Sequence, residues 1–159
     1  MKTIRELLDT LFETKAALRE HGVVRSERFT GELGEWLAET AYKGKRAKSV
    51  TQKGWDVEIT ENASKLLLQV KAHAKGKGNN AKWTEIDQDS VKLFDRLIII
   101  VLSDDYYIKN WFDIPKDALL KILIPSGKSY VVRWDDAKAH SKDWLKLVGG
   151  GELLEFFKK

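Results

Sequence analysis

The chain of 159 residues contains no cysteine, which excludes a disulfide framework and any thiolate metal site. It also lacks a long hydrophobic run. The longest, Leu97 to Leu102, is strand-sized, well short of the roughly 20 apolar residues that a membrane helix needs. No internal repeat or low-complexity tract interrupts it, and the opening Met1-Lys2-Thr3-Ile4-Arg5-Glu6 has no apolar signal-peptide core. A cytoplasmic location with no membrane partner is expected. What is present, 43% hydrophobic and 33% charged residues, suits one globular domain over 1–159.

The net charge of +4 is mild but uneven. Lys43 to Lys82 holds ten Lys or Arg against three acids, so the rest of the chain is net negative. Lys45, Arg46, Lys48 and Lys53 precede the candidate site described below. His73, Lys75, Lys77 and Lys82 follow it, partly in Gly76/Gly78-containing sequence able to track a phosphate backbone. These eight are the candidate nucleic-acid contacts. Solvated lysines on loops are the plainer reading of the same run.

Periodicity orders the elements. Ile4, Leu7, Leu8, Leu11 and Phe12 predict a packed helix over 2–21 ended by Gly22, and a Thr30 cap opens a second helix to about Tyr42. On that helix Glu32 and Glu39 are expected in solvent. A short strand fits Ala47 to Thr51. Thr84 with Asp87 resembles a capping box and, with Ile86, Ser90, Leu93 and Phe94, predicts a third helix. Leu97 to Leu102 reads as a strand buried on both faces, joined to the one before it in parallel by that crossover helix. A strand from Tyr106 to Asp113, a short helix begun by Pro115, a strand around Tyr130 to Trp134 and a helical end follow. Leu153, Leu154, Phe156 and Phe157 are expected to dock on the core or on a second subunit.

Chemistry concentrates in one hairpin. Trp55 to Thr60 alternates, Glu61-Asn62-Ala63-Ser64 reads as a turn, and Lys65 to Lys71 reads as the return strand. A turn centred on Asn62-Ala63 pairs Thr60 with Lys65 and sets Asp56 opposite Gln69, with their Cβ atoms about 5 Å apart. Lys71 then shares the face of Gln69, while Leu68, Val70 and Ala72 point to the other. Asp56 and Lys71 in this register form a metal and phosphodiester site or, more plainly, an edge ion pair. Trp55 and Trp83 read as core or as base-stacking surfaces.

In element order, with Gly31-Glu32-Leu33-Gly34-Glu35 on a helix, Gly54-Trp55-Asp56 on the next strands and Gln69-Val70-Lys71 after them, the chain resembles the PD-(D/E)xK nuclease superfamily. It departs from the common pattern at Gln69, where many members carry an acid; a Gln variant occurs in Mrr-like restriction nucleases. The resemblance implies an α/β, restriction-endonuclease-like αβββαβ core over about 30–102, with a mixed central sheet flanked by helices and a C-terminal extension over 103–159.

It further implies metal-dependent endonucleolytic hydrolysis of DNA, of restriction or repair type. Mg2+, with Mn2+ as substitute, would be held by Asp56, the Gln69 side-chain oxygen, the Val70 carbonyl and Glu35. Lys71 would orient the attacking water or stabilise the transition state, completing a catalytic set of Glu35, Asp56, Gln69 and Lys71. A homodimer is expected, since one site per chain cuts one strand. RNA as substrate stays open, as does a catalytically silent nucleic-acid-binding module on the same fold.

Overall fold

Thr3 and Glu6 start the first helix reciprocally: the Thr3 amide donates to the Glu6 carboxylate at 2.6 Å and the Glu6 amide to Thr3 Oγ1 at 3.3 Å. This helix, α1 (Ile4–Glu20), ends before Gly22, whose φ of +69° reverses the chain. The computed structural model describes residues 1–75 and 81–159, apart from the side chains of Glu152 and Leu153. The expected packing of α1 is not found. Ile4, Leu7, Leu8, Leu11 and Phe12 are all exposed, and only Leu18 near its end touches the core.

The second helix, α2 (Phe29–Tyr42), begins one residue before Thr30, with Arg28 at the N-cap position and no side-chain cap. Its Leu33, Leu37, Ala38 and Ala41 are buried. Strands β1 (Lys45–Arg46), β2 (Val57–Glu61), β3 (Ser64–Lys75), β4 (Trp83–Asp87), β5 (Arg96–Ser103) and β6 (Ile108–Pro115) follow, then α3 (Lys116–Ile122), β7 (Ile124–Ser126), β8 (Ser129–Arg133) and α4 (Glu152–Glu155). The first short strand thus lies at Lys45–Arg46 rather than at 47–51.

The central sheet is mixed, in the order β1-β2-β3-β5-β6, with β3 and β5 parallel and every other pair antiparallel. Asn62 and Ala63 both have positive φ, 51° and 62°, the two-residue turn that matches strand twist and fixes hairpin register. Thr60 accordingly pairs with Lys65, as expected.

The third helix is a correction. Residues 83–87 are strand β4, followed by a 3₁₀ turn at Gln88–Leu93, and β4 joins a separate antiparallel sheet in the order β4-β8-β7. Thr84 and Ile86 point inward while Trp83, Glu85 and Asp87 face out, a period of two. Asp87 still caps, accepting from the Asp89 amide at 3.0 Å, but it caps the 3₁₀ turn.

Two cores sandwich the central sheet. One packs α2 and the C-terminal segment against Leu68, Val70, Ile98 and Ile100; the other packs the small sheet and α3 against Leu97, Ile99 and Val101. Leu154 is fully buried and Phe157 packs near Trp36, whereas Phe156 is exposed; the Leu153 side chain lies outside the described residues. Among the described residues no helix is long and apolar enough to cross a membrane.

Candidate active site

Beyond Val57 the β2–β3 ladder stops. The Asp56 amide donates to the Leu68 carbonyl at 2.8 Å, one position off register, and the Asp56 side chain takes over where a backbone partner would have been. Its Oδ2 accepts from Gln69 Nε2 at 2.6 Å and from the Val70 amide at 2.8 Å. The Val70 carbonyl faces the same opened edge, because the amide and carbonyl of one strand residue point the same way. Asp56 Oδ1 makes no hydrogen bond among the described residues.

A cleft of about 490 Å³ opens there, between α2 on one side and the end of β4 on the other. Glu35 reaches it from α2, Asp56, Gln69 and Lys71 from the hairpin, Arg28 from the turn before α2, and Lys53 from the loop after β1. Asp87 and Asp89 form its far wall. Lys71 makes no ion pair within 4 Å among the described residues.

Burial raises the proton affinity of both carboxyls. Glu35 is pushed up to about 7, first by burial and then by the charges of Asp56 and Glu32, against the pull of Arg25 and Arg28. Asp56 is also raised by burial, opposed by the Val70 amide and Lys71. Both shifts are led by burial, so a cation placed beside these carboxyls would favour their charged forms.

That chemistry fits a hard divalent cation. Asp56, Glu35 and the Val70 carbonyl offer oxygen to one cleft, and Mg2+ is commonly held by one or two carboxylates with water and substrate phosphate. Among the described residues no group of three or more His, Cys, Asp or Glu is placed to hold a metal ion. Gln69 is the exception. It turns its amide nitrogen to Asp56, so its oxygen joins a metal only after the amide rotates.

Glu32, expected in solvent, is fully buried, accepting from the Arg25 amide and from Ser26 Oγ at 3.2 Å. Glu39 is half-buried and holds Arg46, taking its amide at 3.0 Å and its Nε at 2.9 Å. Arg46 also donates to the Val23 carbonyl at 3.1 Å and to the Gly22 carbonyl. Its guanidinium is a brace between α2 and the turn after α1, and it leaves the candidate phosphate contacts. His73 leaves with it: its Nε2 bonds Thr84 Oγ1 at 2.9 Å, its ring tilts against Trp134, and burial lowers its proton affinity.

Lys45 and Lys48 line a separate groove with Gln52 and Trp55; Lys75 and Lys82 line another at the far end of β3. Lys77 lies outside the described residues. Trp55 packs on the second core and Trp83 is half exposed.

Two arginines beside the site escaped the sequence. Arg25 Nη2 lies 3.3 Å from Glu35 and its Nη1 donates to the Ala47 carbonyl at 2.7 Å. Arg28 borders the cleft and donates to the Val50 carbonyl at 3.0 Å. The available signal was Arg25-Ser26-Glu27-Arg28, two arginines three apart directly before the acidic helix.

No family model matches the chain, and no curated protein is similar to it. Among solved structures it is similar to a Holliday junction resolvase from the archaeal hyperthermophile Archaeoglobus fulgidus, with a TM-score of 0.42 and 12% identity over 71% of this chain and 94% of that one. It is also similar to a bacterial homing endonuclease, with a TM-score of 0.41 and 15% identity over 69% of this chain and 77% of that one. At such low TM-scores neither likeness bears on the chemistry of this chain.

Proposed function

We propose that this chain, acting as one domain over 1–159, is a metal-dependent deoxyribonuclease that hydrolyses phosphodiester bonds. The observation that supports this reading is the meeting of Asp56, Gln69, Lys71 and Glu35 in one cleft bordered by Arg28 and Lys53. Asp56, Glu35 and the Val70 carbonyl, with Gln69 after rotation of its amide, would hold Mg2+, or Mn2+ in its place. When bound, the ion would lower the pKa of a water and stabilise charge on the phosphoryl oxygens.

The chain's own groups would do the rest. Lys71 Nζ, on the face of β3 that carries Gln69, would donate to the attacking water or to a nonbridging phosphoryl oxygen. Arg28 and Lys53 would seat the flanking phosphates, excluding misaligned substrate. Water would attack phosphorus, the bond to the 3′ oxygen would break, and the products would carry 5′-phosphate and 3′-hydroxyl ends. A homodimer with two such clefts would cut both strands.

A binding module without turnover is the second reading. What favours it is the Gln69 amide donating to Asp56 at 2.6 Å, which occupies one carboxylate oxygen internally. Supercoiled plasmid and single-stranded DNA, incubated with the protein in Mg2+, Mn2+ or EDTA, separate the two. Metal-dependent cutting that disappears in both Asp56→Ala and Lys71→Ala is expected. Salt-sensitive binding without cutting, unchanged by Asp56→Ala, would replace the nuclease with the binding module. Sedimentation of the protein alone reads the dimer.

A further inference from the structure

A second cleft, of about 440 Å³, lies at the other end of β3. It sits outside the carboxyl ends of the parallel pair, bordered by Lys75 at the end of β3 and Ser103 at the end of β5, a position where α/β sheets commonly bind ligands. Among the described residues Lys82, Lys109 and Lys138 complete a rim of four lysines with a single acid, Asp135. Asp135 is already paired, 3.1 Å from Lys138. Lys82 and Lys109 make no ion pair among the described residues.

The floor is built. Lys75 Nζ stands 4.4 Å over the Trp134 ring, Trp134 Nε1 donates to Thr84 Oγ1 at 2.9 Å, and that hydroxyl also meets His73. Lysine ammoniums gathered around a concavity, with their one acid neutralised, attract a polyanion. Trp134 is only 6% exposed, so no ring is free there to stack on a base. Recognition would be of phosphate alone.

Strand geometry relates the two clefts. Lys71 and Lys75 lie on one face of β3, four residues and so about 13 Å apart, roughly four base steps of duplex rise. We propose that this lysine cleft is a second phosphate-backbone site, holding the same nucleic acid at a position displaced along the strand from the candidate active site. The inference rests on the nucleic-acid reading above and extends it to Lys75, Lys82, Lys109 and Lys138.

Equilibrium binding of a duplex of about 30 base pairs, measured in EDTA across a salt series, tests it. Lys82→Glu/Lys109→Glu is compared with wild type and with Lys2→Glu/Lys121→Glu, which makes the same charge change at exposed lysines away from both clefts. The cleft variant is expected to bind at least about tenfold more weakly, with a log-log salt slope smaller by about two, while the control stays near wild type. Lys82→Gln/Lys109→Gln should show the same order with a smaller loss, and unchanged melting of each variant confirms folding. Equal slopes in the cleft variant and wild type would overturn this inference and leave the nuclease reading standing. Equal losses in the cleft variant and the control would overturn it too, reducing the effect to net charge. Absence of salt-dependent binding in wild type would overturn this inference as well, while the nuclease reading would still be decided by metal-dependent cutting.

Discussion

Glu35 holds its charge at a cost set by its burial. Unfolded, it titrates near its ordinary value of 4.5; folded, burial beside Asp56 and Glu32 moves it to about 7. Between those values the folded chain binds the proton more tightly, so stability falls as pH rises through the interval and the penalty is complete above about 7. Glu35→Gln is therefore expected to melt above wild type at about pH 8, with the gap narrowing toward about pH 5. A variant that melts below wild type at about pH 8, read by thermal denaturation, would show instead that the Arg25 contact dominates. The nearness of Asp56 to Gln69 was legible because a two-residue turn fixes the register as far as Val57 and Leu68, although Asp56 itself lies just beyond the ladder and meets Gln69 by its side chain. Arg25 was not, since it reaches Glu35 from a turn between two helices and no periodicity marks it. Glu32 sits beside the apolar stripe of α2, and its burial is explained by partners in the preceding turn, the Arg25 amide and Ser26 Oγ.

At the scale of elements, long-range partners decide what local pattern cannot. Residues 84–94 carry apolar spacing that fits a helix, yet β8 offers a ladder from fifty residues away, pairing Trp83 with Arg133, and the alternation of Thr84 and Ile86 wins. The period of α1 was readable, but nothing in a period says whether a partner exists. A buried polar network shows the reverse case, elements tied by side chains distant in sequence. Tyr42 Oη donates to Asp113 Oδ2 at 2.8 Å and accepts from Trp111 Nε1 at 3.1 Å, while Arg96 Nε donates to Asp113 Oδ1 at 2.8 Å. These bonds join α2, β5 and β6, and burial drives the Tyr42 hydroxyl pKa upward. Asp113→Ala leaves Tyr42 without its acceptor and Arg96 with Glu61 alone, at 2.8 Å, and is expected to cost about 3 kcal/mol in urea denaturation. Tyr42→Phe, which leaves Arg96 and Asp113 paired, is expected to cost about 1–2 kcal/mol. Equal losses would mean that packing of the ring, not the charge pair, carries the network.

Across the whole molecule the candidate active site depends on how closely two layers approach. Glu35 comes from the helical layer and Asp56, Gln69 and Lys71 from the sheet, so the spacing of α2 and β3 sets their geometry. That spacing is fixed one residue before Glu35. A Cβ placed on Gly34 would lie 2.4 Å from the Cβ of Ala72, with the Ala72 Cα at 3.6 Å and Val70 Cγ1 at 3.8 Å in ordinary contact. The sequence announces the glycine but not its reason, which is a helix pressed against a strand some forty residues on. Gly34→Ala should force α2 outward, lowering stability by about 1–3 kcal/mol and moving the Glu35 carboxylate away from Asp56. Because the clash is with one methyl group, Ala72→Gly in the same chain removes it. The double variant should recover part of the stability and, if the cleft cuts DNA, more of the cleavage rate than of the stability, since the recovered spacing acts directly on Glu35. Thermal denaturation and plasmid cleavage across the four proteins of this cycle measure both. Losses that simply add, with no recovery in the double variant, would show that Gly34 does not set the distance between the layers.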